Sequence, residues 1–121
     1  MKYLCLVYRE EKTVDAMSES EFEAFVGEHR AYDEVLRKSG HGIVAEGLQP
    51  VQTATTVRVR NGKVSTTDGP FVETKEQLGG FFLIKARDLD EAIRVASKIP
   101  AARLGSIEVR QIGRASCRER V

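Results

Sequence analysis

Residues 68–86 read D-G-P-F-V-E-T-K-E-Q-L-G-G-F-F-L-I-K-A, and the way this stretch divides decides the fold. In its second part, Gly80 to Ala86, Phe81 and Leu83 point one way and Phe82 and Ile84 the other. A strand that is apolar on both faces has to be covered on both. The first part opens on two turn-forming pairs, Asp68-Gly69 and Gly69-Pro70. Asp accepts local backbone N–H bonds, Gly reaches φ values closed to other residues, and Pro fixes φ. A turn leading into a core strand accounts for Asp68 to Phe71. It does not account for Glu73, Lys75 and Glu76 so close to the paired glycines Gly79 and Gly80. Charge beside apolar surface makes this segment the first place to look for function.

Lys2 to Tyr8 shows the same two-faced pattern, with Tyr3, Cys5 and Val7 opposite Leu4, Leu6 and Tyr8. Arg9 to Asp15 reads as a polar connection. A helix follows, with Ser18 as N-cap, Glu21 completing a capping box, and Met17 and Phe22 placed as a hydrophobic staple. Phe22, Phe25, Val26, His29, Tyr32 and Leu36 form its apolar stripe, and Gly40 suits the position just past its end. Ile43 to Leu48 is a shorter strand. Thr55 to Thr66 is a hairpin around Asn61-Gly62, whose alternating Val and Arg imply one solvated face. Asp88 caps a second helix with Glu91 three residues on, a stripe of Leu89, Ala92, Ile93, Ala96 and Ile99, and a stop at Pro100. Ile107 and Val109 alternate with charge in a closing strand.

This order is β-α-β, a hairpin, then β-α-β: an α+β chain of ferredoxin-like βαββαβ topology with an inserted β-hairpin. The first and third framework strands of that topology are central, and here they are the two doubly apolar ones. Two helices cover only one sheet face, so a second copy of the sheet is the simplest cover for the other. A homodimer is therefore expected.

At 121 residues, with 41% hydrophobic and 31% charged, the chain is one ordinary globular domain. It has no secretory signal pattern and no apolar run long enough to span a bilayer, so a cytoplasmic protein without a membrane partner is expected. Two cysteines make no disulfide framework. Residues 112–121, I-G-R-A-S-C-R-E-R-V, are an in-frame translation of a common short-read sequencing adapter, and Gln111 fits the two bases before it. The expected division is a domain at residues 1–110 and a read-through tail at 111–121, excluded from functional reading. Residues 113–121 carry three Arg and one Glu, so setting them aside takes the formal charge from +1 to −1. No charge-based case for direct nucleic-acid binding is left.

The run from Asp68 to Gly80 strongly resembles the signature of the DGPF proteins within the YCII-related superfamily. The K-Y-L opening, A-E-G-L-Q-P at Ala45 to Pro50 and I-P-A-A-R at Ile99 to Arg103 extend the resemblance over Met1 to about Arg110. It implies a dimeric α+β barrel and leaves activity open, since most members have no assigned reaction. It also implies a signalling association, because genes of such proteins often sit beside those of extracytoplasmic-function sigma factors.

The sequence has no phosphate-binding loop, dinucleotide fingerprint, zinc spacing or nucleophile elbow, so no metal or cofactor is expected. Gly79-Gly80 precedes a strand rather than a helix, which suits a bulge or a close backbone approach. His29 lies on the apolar stripe and carries the usual acid/base group for neutral pH. It resembles the helix histidine proposed to work with an aspartate in YCII-type members. Where the helix meets the next strand this chain has His41, so Asp33, one turn on, and Asp68 are the candidate partners. A His29–Asp68 pair requires the signature loop to fold inward or to come from a partner subunit. The alternative is a structural, hydrogen-bonded His29. Tyr8, Glu46, Phe71, Glu73 and Lys75 are the candidate ligand-binding residues around the loop. Three functions compete: an acid/base enzyme on a small anionic metabolite with His29 and Asp68 as the pair, a regulatory ligand-binding module, and a dimeric scaffold.

Overall fold

The two strands that are apolar on both faces lie side by side at the centre of a four-stranded antiparallel sheet. The computed structural model describes residues 1–113; residues 114–121, most of the adapter-like tail, lie outside the described residues. In chain order the elements are β1 (Lys2–Arg9), α1 (Glu11–Asp15), α2 (Glu19–Lys38), β2 (Gly42–Gly47), β3 (Thr55–Arg60), β4 (Lys63–Asp68), β5 (Gln77–Lys85), α3 (Leu89–Ser97) and β6 (Ser106–Gln111). Short 3-10 turns occupy Val51–Thr53 and Pro100–Arg103. The sheet order is β2-β5-β1-β6, and β3 and β4 form a hairpin of their own. This is the ferredoxin-like α+β fold with an inserted hairpin.

Register assigns the two faces. Cys5 sits opposite Phe82 and Val109, and Val7 opposite Gly80 and Ile107. Tyr3, Cys5, Val7, Phe82 and Ile84 are buried under Phe25 and Leu36 of α2 and Ala92, Val95 and Ala96 of α3, and together these form the core. On the other face Leu4 sits opposite Leu83, and Leu6 opposite Phe81, all half-buried. Arg110 and Glu108 flank them on β6, and Val44 and Glu46 on β2. That face is apolar along its centre and charged along its edges.

The caps of α2 follow from sequence. Ser18 Oγ accepts from the Glu21 N–H at 3.1 Å, and the Glu21 carboxylate accepts from the Ser18 N–H at 2.9 Å. At the other end Gly40 has φ 85°, the His41 N–H reaches the Leu36 carbonyl at 2.9 Å, and the Gly40 N–H reaches that of Arg37 at 3.2 Å. This is the double hydrogen bond of a glycine-terminated helix. The hairpin turns through Asn61 and Gly62, both with positive φ, as a type I′ turn requires.

Four details differ from expectation. Glu11–Asp15 is a helical turn, held by the Glu11 N–H on Gln77 Oε1 at 2.8 Å and the Glu11 carboxylate on the Val51 N–H at 2.9 Å. Both anchors are remote in sequence, so local polarity alone reads as loop. Leu89 and Ile93 are exposed, whereas Val95 is buried. The buried series Ala92, Val95, Ala96, Ile99 has helical spacing too, and its small residues let α3 approach the sheet closely. The Tyr32 hydroxyl fixes this rotation by donating to the Val95 carbonyl at 2.6 Å. Glu91 reaches back to the Arg87 N–H at 2.9 Å rather than to the cap residue Asp88. The valine face of the hairpin, Val57, Val59 and Val64, is as exposed as its arginine face.

Candidate functional site

A cleft of about 350 Å3 opens between the first half of α2 and the end of the sheet where β1 finishes and β5 begins. Phe22, Phe25 and His29 line it from α2, Val7 and Arg9 from β1, Gly79 to Phe82 from β5, and Glu46 from β2. Its shape starts from a slip in register: Val7 faces Gly80 but Tyr8 faces Leu78, so Gly79 is the extra residue of a bulge. The two glycines have separate causes. A Cβ on Gly80 would stand 2.8 Å from the Glu46 carbonyl of the neighbouring strand. A Cβ on Gly79 would stand 2.5 Å from Arg9 Cζ and closer still to Nη1. Gly79 thus leaves the guanidinium of Arg9 room to lie against bare backbone.

Burial depresses the Arg9 pKa, and Glu11 and Asp15 push it back up from a distance. Among the described residues neither carboxylate, nor any other, forms an ion pair with it.

His29 is held at both ring nitrogens. Nδ1 lies 2.8 Å from the Phe25 carbonyl, which can only accept, so Nδ1 carries the hydrogen. Nε2 then accepts the Ala101 N–H at 3.2 Å. The ring is neutral in this arrangement. Burial lowers its pKa first, the Phe25 carbonyl opposes this, Arg9 and Arg103 lower it further, and Glu28 raises it. The Phe25 ring meets it edge-on at 4.6 Å. Taking a proton at Nε2 requires release of the Ala101 amide.

The expected site residues separate into three places. His29 and Glu46 line the cleft, as does Asp33, which is bound to Arg37 at 3.2 Å. Tyr8 and Lys75 line a second, shallower hollow with Glu76 and Ser106, near the same end of the sheet. There the Ser106 hydroxyl donates to Glu76 at 2.8 Å, and Lys75 stands 3.8 Å from Glu10. Asp68, Phe71 and Glu73 line neither. Asp68 is exposed at the end of β4, opposite Thr55, and Phe71 is 76% exposed with the Arg58 guanidinium 5.5 Å from its ring centre. Within one chain, His29 and Asp68 therefore lie in different surroundings. Sequence reasoning missed Arg9. Its signal is a lone cation ending an otherwise apolar strand, but its companion Gly79 is hidden behind the bulge.

The YCII-related domain family matches residues 1–116. An uncharacterised protein of Rhizobium meliloti (strain 1021) is 39% identical over 115 residues, covering 93% of this chain and 92% of that protein. Among solved structures, the fold is similar to the 5-chloro-2-hydroxyhydroquinone dehydrochlorinase of Burkholderia phenoliruptrix AC1100, determined in complex with 2,5-dihydroxybenzoquinone. The TM-score is 0.54 at 16% identity, over 95% of this chain and 96% of that one, a likeness of fold.

Proposed function

Since this chain belongs to the YCII-related domain family, we propose that it is a small-molecule-binding domain, working as a homodimer, whose ligand enters the cleft between α2 and β5. The cleft itself carries this reading. Phe22, Phe25 and Phe82 wall a space of about 350 Å3 that Arg9 and His29 line, with Arg30 and Asp33 beside them. Apolar walls with a small number of fixed polar groups are the usual form of a metabolite pocket. The dehydrochlorinase of the same fold, solved with a quinone bound, supports the reading by analogy.

The test is a thermal-shift screen of small metabolites followed by NMR mapping of hits. A ligand held at a hundred times its Kd stabilises the fold by about 2.7 kcal/mol. Hits should move the resonances of Phe22, His29, Gly79 and Gly80. Hits that leave all four unmoved would defeat the proposal.

One observation favours a second reading, proton transfer at His29. The Phe25 carbonyl fixes hydrogen on Nδ1, which leaves the Nε2 lone pair as the basic site once Ala101 lets go. His29→Gln should then abolish turnover and leave binding. A regulatory module beside an extracytoplasmic-function sigma factor would use the same cleft as its sensing site. Turnover of the bound molecule separates enzyme from sensor.

A further inference from the structure

Arg9 and Gly79 combine two local costs at one place. A glycine inside a strand is less stable than alanine, and a half-buried guanidinium loses hydration. Neither cost is offset by an ion pair among the described residues. Alanine at Gly79 would meet only the tip of a flexible side chain, so the backbone tolerates it; what it would displace is the guanidinium. A fold that keeps a side-chain-free seat for an unpaired cation is violating local rules in the manner of a functional site.

The other groups at the cleft define what Arg9 lacks. His29 is neutral and has both nitrogens engaged, so it offers no charge. Asp33 is held by Arg37, Arg30 lies exposed at the rim, and Glu46 reaches the cleft through its backbone while its side chain is on the opposite sheet face. Arg9 is thus the cation set deeper in a cleft whose remaining wall is largely apolar, with the rings of Phe22, Phe25 and Phe82 among it. A guanidinium presents a planar fork of donors that matches the two oxygens of a carboxylate. Phe22, at 41% exposure, offers aromatic surface to a flat body in the cleft.

We infer that Arg9, seated on Gly79, is the anchor for the carboxylate of a small planar ligand, an aromatic or conjugated monocarboxylate whose body stacks among the cleft phenylalanines. This rests on the reading of the cleft as a small-molecule site and adds the chemical class it takes.

The experiment titrates the full chain, followed by NMR and calorimetry, with three probes at up to millimolar concentration: benzoate, benzamide and inorganic phosphate. Benzamide keeps the shape of benzoate without its charge, and phosphate keeps charge without a flat body. Benzoate should bind at least about tenfold more tightly than either, since a charge-assisted bidentate pair is worth a decade or more. Arg9→Met should erase that preference and bring benzoate and benzamide to one affinity. Gly79→Ala keeps the cation but displaces it, and should weaken benzoate in the same direction. Should Arg9→Met not fold, Arg9→Gln, which removes the charge and keeps a polar side chain, gives the same reading. Equal binding of benzoate and benzamide, with His29 and Phe22 resonances moving, overturns the carboxylate anchor and leaves the cleft as a neutral-ligand site. Phosphate binding as tightly as benzoate overturns the planar class. If none of the probes moves a cleft resonance, the anchor is overturned, and the metabolite screen decides the wider reading separately.

Discussion

His29 holds its one proton on Nδ1 and uses its other nitrogen on a main-chain amide, so the folded state resists protonating it. Its folded pKa lies below the ordinary 6.5, chiefly through burial. As pH falls through 6.5 the unfolded chain takes up a proton that the folded chain refuses, so stability is lost from there downward to the folded pKa, and no further below it. Denaturant melts should show this slope between neutral and mildly acidic pH, and His29→Gln should flatten it. Glu21 and Glu91, whose pKa values are lowered by backbone hydrogen bonds, act in a separate window below 4.5. Cys5 has no exposed surface, and burial raises its thiol to about 11, so in a variant lacking Cys117 alkylation at neutral pH should proceed only as fast as the protein unfolds. The helical phase of the sequence already placed His29 on the inner stripe. Its partner at Ala101 was not legible, because 72 residues separate donor from acceptor. The side Arg9 takes follows from alternation along β1, but the bare backbone it lies on at Gly79 was hidden, because that bulge depends on how the two strands pair.

At the scale of elements, the best-read features are those whose chemistry is local. Both hydrogen bonds of the Ser18–Glu21 box form, and Ser18→Ala should cost about 1 kcal/mol in chemical denaturation. The Asn61-Gly62 turn was legible because positive φ at two successive residues restricts composition so strongly. Gly69 has φ 98°, and Gly69→Ala should destabilise by more than about 1 kcal/mol, whereas the same change at Gly79, where φ is not positive, should spare the fold. The rotation of α3 was not legible, since Leu89 and Ile93 fit helical spacing as well as Val95 does, and a hydrogen bond from α2 chooses between them. Within the Asp68–Gly80 segment Gln77 donates to the Thr74 carbonyl at 2.7 Å, and the Thr56 hydroxyl donates to the Gly69 carbonyl at 3.0 Å.

For the whole molecule, two doubly apolar strands sufficed to place the sheet centre, and among the described residues one sheet face has no helical cover. Leu4, Leu6, Phe81 and Leu83 on that face would each gain about 1.5–3 kcal/mol on full burial, less what they already have. The expected outcome is a homodimer by light scattering at micromolar concentration, with Leu6→Glu giving monomer or unfolded chain because an unpaired buried charge costs several kcal/mol. A well-folded wild-type monomer under those conditions would remove the dimer. The hairpin stands apart from all of this. Among the described residues its two strands pair only with each other, and its base is closed by the Gly69 N–H on the Ala54 carbonyl at 2.7 Å. Chain entry and exit therefore meet at one point, which makes residues 55–68 a removable cassette. A graft of foreign sequence there, or its deletion with Ala54 joined to Gly69 through a short linker, would leave the four-stranded frame its own contacts and adds little loop-closure entropy.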